Sequence, residues 1–272
     1  MKISYVSCFC TDKFPSGNPA AIVEEFTAGD SDKQALATQL NLPVTVFVTK
    51  TNRKFLFRFF YPAREMPLCL HGALAAAYVL MGQKGLTELH ATTNEQKELV
   101  FTKTASDTVH LTLECGKILP FENSTQDLDK MLGIVSDNVL DKTLPYCVAT
   151  IGSPKLLVPL MTYETIATLK PDFSFIKEWS LKNNINGLYI YTKDTRAKNI
   201  DFIARGFNPK GGSNEDAATG VAASALYTAL GYADKRKVCI HQGEFIYQPS
   251  QIIVAGNKNK LFIGAKVYLH KN

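Results

Sequence analysis

Glu65-Met66-Pro67-Leu68-Cys69-Leu70-His71-Gly72-Ala73-Leu74-Ala75-Ala76-Ala77-Tyr78-Val79-Leu80 and Glu215-Asp216-Ala217-Ala218-Thr219-Gly220-Val221-Ala222-Ala223-Ser224-Ala225-Leu226-Tyr227-Thr228-Ala229-Leu230 are two versions of one segment in a chain of 272 residues. Glu65 and Glu215, Ala73 and Ala223, Ala75 and Ala225, and Leu80 and Leu230 fall in step. Each segment passes from a short loop into a run dominated by Ala and Leu, strong helix formers, with no proline after the first turn. Both are read as helices, each ending near a glycine, Gly82 or Gly231, where a C-cap is expected. Their small residues would let neighbouring elements pack closely around them.

Working outward, two further motifs recur in the same order. Gly17-Asn18-Pro19-Ala20-Ala21-Ile22-Val23 matches Gly152-Ser153-Pro154-Lys155-Leu156-Leu157-Val158 as G-x-P-x-x-apolar-V. Each follows a β-like run, Ile3 to Cys10 and Tyr146 to Ile151, so a Gly-x-Pro turn between strands is expected. Arg58-Phe59-Phe60-Tyr61-Pro62 matches Arg205-Gly206-Phe207-Asn208-Pro209 as R-x-F-x-P, after strand-like Lys54–Phe57 and Ile200–Ala204. A hairpin follows each small-residue helix. Leu99–Phe101 and Val109–Leu113 flank Ser106-Asp107, and Ile252–Val254 and Leu261–Ile263 flank Gly256-Asn257-Lys258-Asn259. Three matches in order argue for an internal duplication. Leu119–Leu144 reads as a connector carrying a short helix near Thr125–Met131. The expected lobes are 1–118 and 119–272, with the last strand free to return to the first lobe.

Hydrophobic residues at 46% and charged residues at 20% place the chain among globular proteins rather than disordered ones. The net charge of +5 is scattered, and its densest cluster, Lys235-Arg236-Lys237, is too short for a nucleic-acid stripe. No nucleic-acid partner is expected, although the positive balance would help attract an anionic small molecule. No apolar run reaches a membrane-spanning length of about 18 residues, and no signal peptide is evident, so the six cysteines are read as free thiols in a reducing cytoplasm. Cys8-Phe9-Cys10 is read as strand, with two thiols on one face rather than a metal site.

The two loops that open the small-residue helices carry the chemistry. The orphan N–H groups of a helix start and the positive end of its dipole form an anion site. Gly72 and Ala73 in the first loop, and Thr219 and Gly220 in the second, are expected to receive a carboxylate, with Gly212 and Ser213 as closely approaching backbone. His71 and Asp216 are the candidate acid/base pair, as an imidazole titrating near neutrality and a carboxylate on the matching loop. The alternative for Asp216 is a helix N-cap. Glu65, Glu215 and Cys69 are candidate accessories, the glutamates equally readable as first-turn helix charges. A two-thiol racemase is disfavoured, because Ala217, Ala218, Thr219 and Gly220 leave the second loop without a thiol.

These residues resemble the phenazine-biosynthesis PhzF-like family, which shares the diaminopimelate-epimerase fold. The stretch from Phe14 to Val23, ending Gly17-Asn18-Pro19-Ala20-Ala21-Ile22-Val23, is similar to the family's opening. Glu65 to Ala73 resembles its E-x-P-x-C-G-H-A-T segment, and Glu215 to Ala222 its E-D-P-x-T-G-S-A segment. Gly152-Ser153-Pro154-Lys155 and His241-Gln242-Gly243-Glu244 also fall where members carry similar residues. The resemblance implies an α+β fold of two pseudo-symmetric lobes, each a mostly antiparallel barrel-like sheet around a central helix, with the active site between them. It also implies homodimers and a cofactor-free, metal-free isomerisation of a small dihydroaromatic acid. The family's acid/base set maps to His71 and Asp216. Its glutamate falls on Val44 within Leu42-Pro43-Val44-Thr45-Val46-Phe47, its serine on Val221, and a loop glycine on Leu70. Two functions follow as expectations: an isomerase of a small anionic metabolite working by proton transfer, or a relative that binds a metabolite or protein without turning it over.

Overall fold

The computed structural model describes residues 1–13, 15–50, 54–105, 107–122, 125–232, 236–257 and 259–271. Phe14, Ser106, Lys235 and Lys258, named above, lie outside the described residues. The chain divides into two compact units, Met1–Leu113 with Phe262–Asn272, and Glu114–Leu261.

The first unit runs β1 (Lys2–Cys8), β2 (Asn18–Glu24), α1 (Asp30–Leu40), β3 (Thr45–Lys50), β4 (Phe55–Phe60), β5 (Glu65–Met66), α2 (Leu70–Lys84), β6 (Glu88–Thr93), β7 (Glu98–Ala105) and β8 (Thr108–Glu114), and takes back β17 (Lys260–Leu269). β1 pairs antiparallel with β2, β2 parallel with β3, β3 antiparallel with β4, and β4 parallel with β6. The antiparallel ladders β6–β7 and β7–β8 follow, β8 pairs with β17, and β17 pairs with β1, closing an eight-stranded barrel. Both parallel pairs need crossovers, which α1 and α2 supply. Closure removes the exposed edges.

The second unit runs β9 (Lys117–Leu119), α3 (Thr125–Leu132), β10 (Cys147–Thr150), β11 (Lys155–Pro159), α4 (Tyr163–Ala167), α5 (Phe173–Lys182), β12 (Leu188–Thr192), β13 (Phe202–Asn208), β14 (Ser213–Asp216), α6 (Gly220–Ala229), β15 (Val238–Gln242) and β16 (Ser250–Gly256). Its ladders repeat the order of the first: β10–β11 antiparallel, β11–β12 parallel, β12–β13 antiparallel, β13–β15 parallel and β15–β16 antiparallel. β9 pairs with β10 as β17 pairs with β1. The short arms β5 and β14 hang from β4 and β13.

The Ala-rich helices sit inside these sheets. α2 buries eleven residues from Leu70 to Met81 and packs on β1, β2, β3, β6 and β7. A helix apolar on every side belongs in an interior, and its alanines let the wall approach. α6 packs likewise on β9, β10, β11 and β16. Strands β11, β12 and β13 are buried on both faces. Leu156, Val158, Leu188, Ile190, Ile203 and Phe207 form one core with Leu128 and Met131 of α3, Ile166 of α4, and Ile176 and Trp179 of α5. The alternate residues of the same strands, from Lys155 through Tyr189 to Gly206, point to the opposite face.

Several boundaries differ from expectation. α2 runs through Gly82 to a left-handed C-cap at Gly85, whose N–H bonds Met81, because Gln83 and Lys84 continue the helix readily. α6, by contrast, ends as expected, with Leu230 as C-cap beside Gly231 of positive φ. Strand β1 stops at Cys8. Phe9 is left-handed, and Cys10 is fixed by its N–H donating to the Lys266 carbonyl. Both thiols are buried, but not as strand neighbours. The R-x-F motifs lie within β4 and β13 rather than after them. No helix among the described residues is long and apolar enough to cross a membrane.

Each hairpin arm is clamped by a two-pronged ion pair. Arg58 Nε and Nη2 donate to the carboxylate of Glu65 at 2.8 and 2.7 Å, and Arg205 does the same to Glu215 at 2.9 and 2.7 Å. Arg205 also lies over the rings of Phe207 and Phe245 and donates to the Ile166 carbonyl. The clamps are unequal. The Glu215 side chain is 7% exposed and that of Glu65 30%, while Arg58 also reaches the open Asp30, whose carboxyl it holds well below the usual range. Arg205→Ala strands a buried carboxylate and is expected to cost about 3–5 kcal/mol in urea unfolding, with a clearly smaller loss for Arg58→Ala.

Candidate active site

In the first unit, Cys69 is the extended N-cap of α2, and its carbonyl accepts the first helical bond from Ala73. The N–H of Gly72 lies before Ala73 and outside this first helical bond, at the helix start where a ligand would meet it. Cys69 and His71 are both buried, with Cys69 Sγ 3.2 Å from His71 Nδ1. Val44, wholly buried, lies against this turn. A Cβ added to Gly72 would come within 2.9 Å of both Val44 and Val46. The glycine thus admits the wall of the barrel to the helix start, and the side chain occupying the position of the family glutamate is an aliphatic one packed on that start. Burial pushes the Cys8 thiol up, with smaller contributions from Cys10 and Cys69, so Cys8 behaves as an inert core group. Leu70 is buried in the same turn.

In the second unit, Thr219 is the N-cap of α6 and Asp216 closes β14, three residues earlier. Asp216 therefore does not cap the helix. Its Oδ2 accepts from the Thr219 hydroxyl at 2.8 Å. Gln242, buried on β15, donates from Nε2 to the Asp216 carbonyl at 2.7 Å and to the Thr219 hydroxyl at 3.0 Å, and its Oε1 accepts the Thr219 N–H at 3.1 Å. The loop into α6 is thus tied to the sheet by one amide side chain. Ala223 N–H closes the first helical bond on Thr219, leaving the N–H groups of Gly220 and Val221 at the helix start. Gly212 and Ser213 are occupied locally: Gly212 N–H bonds Pro209, and the Ser213 hydroxyl bonds the Glu215 carbonyl. Glu65 and Glu215 are held by their arginines, which gives both a role in fixing the loops.

The strand register places further groups on the face that carries Asp216. Tyr189 of β12 is opposite Gly206 of β13, and Gly206 is opposite Asp216. Lys155 lies two residues before Leu157, the partner of Tyr189, and so shares this face. Gly206 keeps the space between open: a Cβ there would sit 2.7 Å from the Thr219 hydroxyl and 2.9 Å from Gln242 Nε2. Lys155 is 3% exposed, and its ammonium donates to the Asn186 carbonyl. Burial lowers its pKa to about 8 against the opposing pull of Asp216, with Lys210 adding repulsion. Tyr189 is wholly buried, and its hydroxyl has no hydrogen-bond partner among the described residues. Burial, and then Asp216, pushes that phenol far above its ordinary value. The same register in the first unit joins Val46, Phe59 and Met66, with Ala20 in the place of Lys155, all apolar. Lys155 and Gln242 figure in the sequence only as parts of family-like segments, Tyr189 not at all, and none of the three was a candidate site residue. The available signal was a lysine inside an apolar β run whose twin carries Ala20. Among the described residues no group of three or more His, Cys, Asp and Glu side chains is placed to hold a metal.

A closed eight-strand barrel around a buried helix defines an α+β protein with the epimerase-like fold. The model of the PhzC-PhzF family, phenazine biosynthesis-like protein, matches residues 6–265, and the chain belongs to that family. An uncharacterized isomerase of Pseudomonas aeruginosa is 30% identical over 232 residues, 83% of this chain and 80% of that protein. The uncharacterized isomerase YfhB of Bacillus subtilis is 27% identical over 256 residues, 89% and 86% of the two chains. A crystal structure of a phenazine biosynthesis protein of the PhzF family from Bacillus anthracis superposes with a TM-score of 0.87 at 22% identity, covering 100% of this chain and 98% of that one. Both of these relatives in the family are named as isomerases.

The buried ammonium makes stability depend on pH. Lys155 has a folded pKa near 8, below the ordinary 10.5. Between these values the unfolded chain binds the extra proton, so native stability rises with pH and the burden is fully present below 8. Lys155→Met is expected to be more stable than wild type at pH 7, by on the order of 3 kcal/mol. That advantage should fade as the pH approaches 10.5, as followed by urea titrations across the range. A pH-independent difference would refute it.

Proposed function

We propose that the chain is an isomerase that moves a proton within a small carboxylic-acid metabolite, with Asp216 and His71 as the acid/base pair acting on one ligand and no cofactor. The observation that carries this reading is the Asp216 carboxylate, oriented by the Thr219 hydroxyl, which Gln242 in turn holds at the start of α6. A positioned carboxylate beside unspent helix N–H donors is the arrangement proton abstraction next to a carboxylate requires. The C–H bond breaks, Asp216 takes the proton, the electron pair enters the conjugated acid, and His71 returns a proton at another carbon. The isomerase names of the relatives support the reaction class. Internal duplication belongs to the same proposal, supported by the matched strand order of the two units; a homodimeric state is part of it as what the family resemblance implies, and a cytoplasmic setting as what the free cysteines imply.

A second reading has a specific observation in its favour. Val44 and Val221 stand where the family places a glutamate and a serine, and Val cannot transfer a proton. Loss of a general acid/base costs about 10²–10⁴-fold, which suits a protein that binds a metabolite or partner without turnover. A panel of small carboxylic acids in deuterated buffer separates the two by NMR. The expected result is solvent-proton exchange into at least one acid, reduced by about 10²-fold or more in Asp216→Asn and His71→Ala. Binding with no exchange in any acid would favour the binder.

A further inference from the structure

A lysine and a tyrosine buried together on one sheet face, neither neutralised by the protein, call for an explanation. Lys155 is 3% exposed, yet its ammonium meets only a backbone carbonyl, and no ion pair joins it among the described residues. The Tyr189 hydroxyl is wholly buried with no hydrogen-bond partner among the described residues, whereas Tyr191 on the same face donates to the Pro145 carbonyl at 2.7 Å. Buried polar groups are normally satisfied, and leaving one unmet costs its desolvation. Both groups share the face of Asp216, which lies two strands from Tyr189 across the side-chain-free Gly206, roughly 10 Å at the usual strand spacing. The first unit has no such set on the matching positions. A purely structural role would have filled them with apolar side chains, as Ala20, Val46 and Met66 do there.

We propose that Lys155 and Tyr189 form the carboxylate pocket of the second unit: the Lys155 ammonium pairs with a ligand carboxylate, the Tyr189 hydroxyl donates to it, and the carbon bearing that carboxylate is presented to Asp216. This assignment rests on the reading of Asp216 as the proton acceptor and adds the groups that would hold the acid against it. The ligand carboxylate supplies both missing partners at once. The ammonium and phenol then face the oxygens on which charge grows as the proton leaves for Asp216, which stabilises the enolate-like state. Asp216 and Lys210 are the other charged groups that Lys155 feels.

Benzoate is the probe, a flat carboxylate suited to apolar walls. The whole protein, labelled with carbon-13 at lysine Cε, is titrated with benzoate and then with pH, and the Lys155 resonance is assigned by its absence in Lys155→Met. The expected result is that benzoate shifts that resonance and moves its titration midpoint upward. Benzoate affinity should fall at least about tenfold in Lys155→Met and about three- to tenfold in Tyr189→Phe. Tyr189→Phe removes only an unpartnered hydroxyl, so its melting temperature should not drop, which separates a ligand contact from a packing role. A Lys155 resonance that benzoate leaves unmoved, or equal affinity for wild type and Lys155→Met, would overturn the pocket. If proton exchange on the acid panel persists in that case, the isomerase stands without it. If benzoate engages Lys155 while no acid exchanges, the pocket stands and the isomerase reading falls.

Discussion

A helix enclosed by its own sheet has one polar outlet. Along α2 and α6 the backbone bonds are internal and the side chains are small and apolar, so only the first-turn N–H groups remain to be met. Everything placed near those two starts follows from this constraint. The strand wall must come close, which demands Gly72 against Val44 and Val46, and Gly206 against Thr219 and Gln242. The loops into each helix must be stiff, which the arginine clamps on Glu65 and Glu215 provide through the short arms β5 and β14. A carboxylate such as Asp216, costly elsewhere in such an interior, is tolerable here because the positive end of the helix dipole and unspent donors compensate for part of its desolvation.

The two units use the same scaffold to opposite ends. Around α2 the positions matching Lys155, Tyr189 and Asp216 are apolar, as Ala20, Val46 and Met66, with Cys69 and His71 as a polar pair in the turn. Around α6 the matching wall carries an amine, a phenol, a carboxylate and an amide. One lobe is thus built mainly of packing contacts, and the other carries a heavy burden of buried polar groups. A cost in stability at one site for the sake of chemistry is a common pattern in enzymes.

Much of the fold was readable because it rests on local signals. The two Ala-rich runs, the Gly-x-Pro turns and the hairpins carry their elements in short windows, and the motifs together identify the family and the barrel-around-helix architecture. Details set by distant partners were not readable. The left turn at Phe9 depends on Cys10 meeting Lys266 from the far end of the chain. The helix could have stopped at Gly82, and nothing in the window says that Gly85 takes the left-handed conformation instead. Glu65 and Glu215 read equally as accessory site groups or first-turn helix charges until the β4–β5 and β13–β14 registers brought Arg58 and Arg205 to them. Lys155 and Tyr189 are 34 positions apart in the chain, and only the parallel pairing of β11 with β12 puts them on one face.

The return of β17 to the first unit has a consequence for how the chain comes into being. The barrel that begins with β1 lacks its closing strand until the whole second unit has left the ribosome, and β1 and β8 wait as bare edges meanwhile. The stretch from Glu114 to Leu261 emerges before that strand and can finish its own ladders first. Birth order and completion order are thus reversed. The lobe made first is the last to be sealed, and its waiting edges are where a nascent chain is most open to errant pairing.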